Sequence, residues 1–345
     1  MILAWDHLLT ELCHELAEHL DSHEVSKLRC VNSRLNQGFD SATVWELSSN
    51  RLHGSLLCAE MHRFVSFHNL QYVSRCLQLP QACRVLRRGS PNTPNFLLLS
   101  LQKRNEQIFR TLAEFYGNCI LTLRDHDGNT SLHVAAQTQG PYLSILLDNI
   151  GRFNLNIQNK RRETPLHRAC MYGNDDNAIE LIQFHPESAW YYDTARRMGS
   201  IHLATWKGML PTVKFIVGIS GWQILQSRCM MNYTCLMIAC CCGNLEMVQY
   251  MLHCIHDEDR RKNYISFTCH QKQTCLHLSL LYGFTHISRL LIEECCPQIF
   301  LQTNEYGQNC LDLARFTSLH HESHRMRCRL DRLAVSDIPD DAERN

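Results

Sequence analysis

The sequence has no excess charge of either sign, no long apolar run and no repertoire of catalytic motifs. Thirty-four basic side chains stand against 34 acidic ones among 345 residues. That balance removes the long-range field that binding to a phosphate backbone draws on, so nucleic acid is not expected as a partner. Nowhere do about 18 apolar residues run together, so no membrane span is expected. The opening MILAWDHLLTELCHEL carries acids and histidines where a secretory leader needs a basic start and an uninterrupted apolar stretch. The expectation is an intracellular protein, cytoplasmic or nuclear.

A glycine-rich phosphate loop, G-x-S-x-G and H-E-x-x-H are all missing, and with them the usual local signatures of nucleotide, acyl-transfer and zinc-protease chemistry. No Cys-x2-Cys pair has a matching second pair. His320, His324 and Cys328 are spaced by four, which sets three candidate ligands on one helical face, but no fourth group is specified. The expectation is a non-enzyme with no metal and no cofactor. The 19 cysteines read as reduced thiols used as small apolar residues, since a chain of this length without a leader is not a disulfide scaffold.

What the sequence does contain is repetition. TSLHVA (130–135), TPLHRA (164–169), GSIHLA (199–204), TCLMIA (234–239), TCLHLS (274–279) and NCLDLA (309–314) share one pattern. From His133 through His167, His202, Met237 and His277 to Asp312 the intervals are 34, 35, 35, 40 and 35. The long interval coincides with HDEDRRKNY (256–264), a polar insertion expected on a surface loop. After each copy comes an apolar pattern at helical spacing, such as Leu245, Val248, Met251 and Leu252. Each unit is therefore expected to be helix, turn, helix.

The unit resembles the ankyrin repeat, whose T-P-L-H-x-A opens the inner helix. The resemblance implies a cap from Thr, a first-turn Pro, and a His that links successive repeats; Thr and Pro stand together only at Thr164 and Pro165. One such unit cannot bury its apolar face alone, so the implied fold is an all-α solenoid of stacked neighbours. Two weaker copies precede the six. Leu97 to Ser100 followed by Asn105, Ile108, Phe109 and Leu112 fit the register, with Arg104 at the Gly position, while SLLCAE (55–60) and NLQYVSRCL (69–77) read as two helices separated by an insertion.

Residues 1–50 do not follow the repeat. Leu8, Glu11, Leu12, Leu16, Leu20, Asp21, Leu28, Val31, Asn32, Leu35 and Trp45 resemble the F-box, with Leu9 where that family has Pro. The resemblance implies that Leu8, Glu11, Leu12, Leu16 and Leu20 contact the linker protein of a cullin-type ubiquitin ligase. The alternative is a helical cap over the first repeat. An F-box-like start running into an ankyrin array is similar to fungal proteins of that architecture. The expected organisation is an F-box-like segment (1–50), degenerate units (51–122), six repeats (123–318), a capping helix (319–335) and an acidic, disordered tail (336–345).

In ankyrin geometry the ends of the inner helices line a concave groove. The resemblance puts Gln137, Met171, Trp206, Cys241, Leu281 and Phe316 in one row, with Thr138, Tyr172, Lys207, Cys242, Tyr282 and Thr317 beside it. The binding set expected from these is Met171, Tyr172, Trp206, Leu281, Tyr282 and Phe316, whose large apolar side chains suit an interface centre; the alternative is that some tuck under neighbouring fingers. On the fingers, Arg161 and Arg196 share one position and Arg162, Arg197 and Lys272 the next. Such a strip can grip carboxylates or phosphates, or is simply a solvated surface. Two functions follow: an adaptor presenting a protein to the ligase, or a scaffold without ligase role, which in a fungus could support a specialised-metabolite pathway.

Overall fold

The computed structural model describes residues 61–62, 64–78, 95–150, 155–193, 197–317 and 319–336. The ligase-contact set Leu8, Glu11, Leu12, Leu16 and Leu20, together with Arg196 and residues 337–345, lies outside them. The described residues are α-helical, with two isolated bridges, Arg124 to Thr130 and Tyr192 to Gly199, in place of any strand. The chain divides into two compact units, residues 1–135 with 140–153, and residues 136–139 with 154–345.

In the first unit, α1 (Leu70–Gln78), α2 (Phe96–Gln102), α3 (Glu106–Tyr116), the first residues of α4 (Ser131–Gln137) and α5 (Tyr142–Ile150) surround Phe96, Leu97, Ile108, Phe109, Leu112 and Leu146, all buried. Two turns here use residues other than glycine in the left-handed region, His68 (φ 58°) and Arg104 (φ 53°). Each is followed by an asparagine cap, Asn69 accepting from Tyr72 N at 3.3 Å and Asn105 from Ile108 N at 3.0 Å. The stretch expected as an insertion between residues 60 and 69 is helical at 61–62 and 64–66, and it buries Met61, Phe64 and Val65.

The second unit is a stack of helix pairs: α6 (Pro165–Tyr172) with α7 (Asp175–Phe184), α8 (Ser200–Lys207) with α9 (Leu210–Ser220), and α10 (Cys235–Cys242) with α11 (Leu245–His253). Then come α12 (Glu258–Ser266), α13 (Cys275–Leu281) with α14 (Thr285–Glu294), and α15 (Cys310–Phe316) with α16 (His320–Ser336). The helices pack closely because the sixth position of each motif is small. Ala169, Ala204, Ala239, Ser279 and Ala314 are all fully buried, and a longer side chain there would force neighbouring axes apart. The one polar member, Ser279, receives a hydrogen bond from Ser288 Oγ at 2.9 Å.

Each inner helix of the first three pairs ends on a left-handed glycine, Gly173, Gly208 or Gly243 (φ 72–74°). At Gly243 space also demands glycine, because an added Cβ would lie 2.4 Å from Phe284 Cε1.

The 256–264 insertion is not the surface loop expected from its polarity. It is α12, capped by Asp257 and anchored by Tyr264 and Ile265, both fully buried. Arg260 pairs with Asp257 at 3.6 Å, Arg261 with Glu294 at 2.9 Å and Lys262 with Glu258. The other outer helices of this unit that precede a finger are followed by short 3-10 helices at Pro186–Trp190, Trp222–Gln226 and Pro297–Leu301, which bury Ala189, Leu225 and Phe300. The insertion lengthens that turn into a full helix and keeps its buried anchor.

Candidate functional site

At the starts of the inner helices the polar chemistry is consumed by the fold. Thr164 Oγ1 lies 2.7 Å from His167 Nδ1, which also accepts from Thr164 N at 3.3 Å. The same arrangement holds at Thr274 and His277 (2.8 and 3.3 Å) and, in the first unit, at Thr130 and His133 (2.9 and 3.1 Å). With Nδ1 accepting a backbone N–H, the proton sits on Nε2. That Nε2 donates to Ser227 O from His202 at 3.0 Å and to Gln302 O from His277 at 3.1 Å, so these two rings tie their helices to the turn leading into the next repeat. Burial pushes the pKa of His167, His202 and His277 down and keeps them neutral.

Met237 takes the histidine position in α10 and cannot form this link. Tyr264 of α12 supplies a different one, donating to Leu225 O at 2.8 Å and accepting from Leu236 N at 3.2 Å. Cysteine is likewise structural: Cys235, Cys240, Cys275 and Cys310 are buried, and burial holds the Cys235 thiol up at about 12. A thiol that stays protonated at neutral pH is a poor nucleophile.

The ends of the same helices are apolar and open. Tyr172 is 56% exposed, Trp206 46%, Leu281 41%, Tyr282 55% and Phe316 78%, while Met171 is half-buried. Lys207 Nζ stands 4.8 Å from the centre of the Trp206 ring and the Arg168 guanidinium 5.1 Å from that of Tyr172. Each cation thereby holds an aromatic face in place. Arg168 is itself fixed by Gln137 Oε1 at 2.6 Å and Glu163 Oε2 at 3.5 Å.

Trp206 and Tyr282 meet in one cleft of about 450 Å³, lined also by Met198, Cys229, Met231, Tyr233, Ile238, Cys241 and Cys242. Its walls are the ends of α8, α10 and α13 and the fingers that precede α8 and α10. Of the expected binding set, Trp206 and Tyr282 line this cleft; Met171, Tyr172, Leu281 and Phe316 do not. Met198, Met231 and Tyr233 were missed by reasoning on the helix ends alone. The signal for two of them was present. Met198 and Tyr233 immediately precede the caps Gly199 and Thr234, where the other copies carry Asn129, Glu163, Gln273 and Gln308.

The fingers share one backbone turn, which an asparagine side chain reinforces in two of them. Asn159 Oδ1 accepts from Arg161 N and Glu163 N, and Asn304 Oδ1 from Tyr306 N and Gln308 N, all at 2.9 to 3.0 Å. The tip residue is left-handed in each: Arg162 (φ 58°), Arg197 (φ 45°), Asn232 (φ 62°), Lys272 (φ 52°) and Gly307 (φ 71°). Three of the five expected strip residues thus occupy a position whose backbone favours glycine. Successive fingers are joined by His270 N to Met231 O at 3.3 Å and Glu305 N to Gln271 O at 3.1 Å. Arg161, Arg162, Arg197 and Lys272 are exposed.

Cys328 Sγ lies 3.6 Å from His324 Nε2, but among the described residues no three potential ligands gather into a metal-holding group. No helix among the described residues is long and apolar enough to cross a membrane. No curated protein matches the chain. A family model described as "Ankyrin repeats (3 copies)" matches residues 97–193, 201–295 and 236–322, which together make up more than half of the sequence. Repeated caps, glycine stops, small-residue contacts and fingers agree with that match, and the chain belongs to the ankyrin-repeat family.

Proposed function

We propose that this chain is a non-enzymatic adaptor inside the cell, in cytoplasm or nucleus, which holds a protein partner in the cleft at the ends of α8, α10 and α13. The family acts in general through protein–protein binding. The observation that carries the reading is the cleft itself, an open apolar surface rimmed by Trp206 and Tyr282 and flanked by Lys207. Large exposed apolar patches with polar rims mark interaction sites. Met171, Tyr172, Leu281 and Phe316 extend that surface along neighbouring repeats.

In the same reading, residues 1–50 dock on the linker protein of a cullin-type ubiquitin ligase through Leu8, Glu11, Leu12, Leu16 and Leu20. Residues 51–122 are degenerate units, 123–318 six repeats and 319–335 a cap. The mechanism is proximity: the partner is brought to the ligase at high effective concentration. Leu9 in place of the F-box Pro favours a second reading, a scaffold without ligase role, of the kind that could serve a fungal specialised-metabolite pathway.

Affinity capture from a eukaryotic lysate separates the two. The adaptor requires ligase components on the full chain and their loss from the Leu12→Arg, Leu16→Arg variant, with other partners retained. Absence of ligase components from the full chain leaves the scaffold. Under both readings Trp206→Ala weakens the partner by about 2 kcal/mol, as for a buried aromatic anchor; unchanged capture by a folded variant removes the cleft from the account.

A further inference from the structure

We infer that the cleft takes an extended acidic segment of a separate protein, one carrying an aromatic or large aliphatic anchor. This rests on the protein-binding reading above and adds the chemistry of the partner.

Charge on the fingers of the second unit is one-sided. The exposed cations Arg162, Arg197, Lys207 and Lys272 stand on the fingers and helix ends, and none of them has a carboxylate partner among the described residues. The acids on the same fingers are mostly spent. Glu163 is buried against Asn159 and Arg168, and Asp193 is buried with Oδ1 accepting from Met198 N at 3.0 Å, which leaves Glu305 exposed on the last finger. The acids of the outer helices are in part engaged as well, Glu294 with Arg261, Glu293 with Arg325 and Asp175 with Thr212. A formal charge of zero for the whole chain therefore hides a finger side on which exposed cations outnumber exposed acids.

The exposed ring of Trp206 with Lys207 beside it offers an apolar contact next to an unneutralised ammonium. Met198 beside Arg197 repeats the pairing on the finger. An anchor side chain enters among Trp206, Tyr233 and Tyr282, and flanking carboxylates meet Arg197, Lys207 and Lys272. Neighbouring inner helices lie about 8–10 Å apart, which is close to three residues of extended chain at about 3.3 Å each. A segment in the polyproline II conformation, with three residues per turn at about 3.1 Å each, thus offers every third side chain to successive helix ends.

The test is selection of a random twelve-residue peptide library, displayed on phage, against the immobilised full chain. Enrichment of peptides with net negative charge and an aromatic or aliphatic anchor is expected. A synthetic copy of the leading peptide should bind at least tenfold more weakly to Trp206→Ala, and also to the Lys207→Glu, Lys272→Glu double variant, with far-UV circular dichroism unchanged. Enrichment of neutral or basic peptides that still depend on Trp206 overturns this inference and leaves the cleft reading standing. Peptides indifferent to Trp206→Ala, or no enrichment, overturn both. A tenfold gain in affinity on removal of residues 337–345, which read DIPDDAERN, would make the chain's own end the occupant and overturn the assignment to a separate protein.

Discussion

The two ends of the inner helices divide the labour of the molecule. In α8 every residue from Ser200 to Thr205 is buried, while Trp206 and Lys207 are exposed. The start carries hydroxyls and imidazoles engaged with backbone or with each other; the end carries aromatic rings held by a neighbouring cation at Tyr172 and Trp206 and by the Phe284 ring at Tyr282. Groups that look chemically capable, such as His202 or Cys235, are thereby committed to architecture. Groups that look merely apolar are the ones left with free surface. In a repeat protein, then, the reactive residue types are poor guides to function, and the exposed end of a seven- or eight-residue helix is a better one.

The largest effect is expected at Gly243, where an open helix end has a buried requirement. Gly243→Ala forces a side chain into the left-handed region and against the Phe284 ring. It should cost about 3 kcal/mol, the sum of backbone strain and overpacking. Gly283, with open space around its Cβ direction, should lose only about 1 kcal/mol as Ala. Urea unfolding of the two variants checks the ordering, and equal losses would mean that Phe284 moves aside freely.

Next in size is the start of the helix. His277→Ala leaves Gln302 O and Thr274 N without their ring partner and should cost about 2 kcal/mol, with peptide or partner affinity unchanged once folded protein is compared. Tyr264→Phe, which strips the hydroxyl from both Leu225 O and Leu236 N, should cost a similar ~2 kcal/mol. A loss of binding without loss of stability in either variant would dissolve the distinction between the two ends.

Acid should act on the starts. The pKa values of His167, His202 and His277 are depressed by burial below their ordinary 6.5. The folded state therefore binds fewer protons than the unfolded one, and stability rises with pH wherever that difference exists. The contribution is fully present above pH 6.5 and is lost as pH falls below it towards the folded pKa values. Urea midpoints should be level between pH 7 and 8 and decline below 6.5, with a shallower decline in His277→Gln.

The smallest effect sharpens the view of the fingers. Lys272→Gly relieves a left-handed residue (φ 52°) and should add about 1 kcal/mol to stability, while removing one cation from the proposed binding side. A gain in thermal midpoint accompanied by weaker peptide binding is the expected pair of results.

Much of this was legible in the sequence, because the fold is written as a period. The six motifs located the inner helices, and Trp206 and Tyr282 could be placed at their exposed ends by counting forward from Thr and Ala. Two features were not legible for physical reasons. HDEDRRKNY looks like solvent-exposed loop because eight of its nine residues are polar or charged, yet one buried tyrosine is enough to dock a helix whose other faces are wet. The cleft's second wall was hidden because finger residues are spaced by turns rather than by helical period. Met198 and Tyr233 stand out only when the residue before each cap is compared across copies.

The function of the molecule rests on whether the cleft meets another protein. A photo-reactive phenylalanine analogue at position 282, with a second version carrying it at the exposed outer-helix position of Gln249, tests this directly in a eukaryotic lysate. Discrete cross-linked adducts of defined mass at 282 and none at 249 are the predicted result. The same adducts at both positions, or none at 282 from a folded chain, would contradict it.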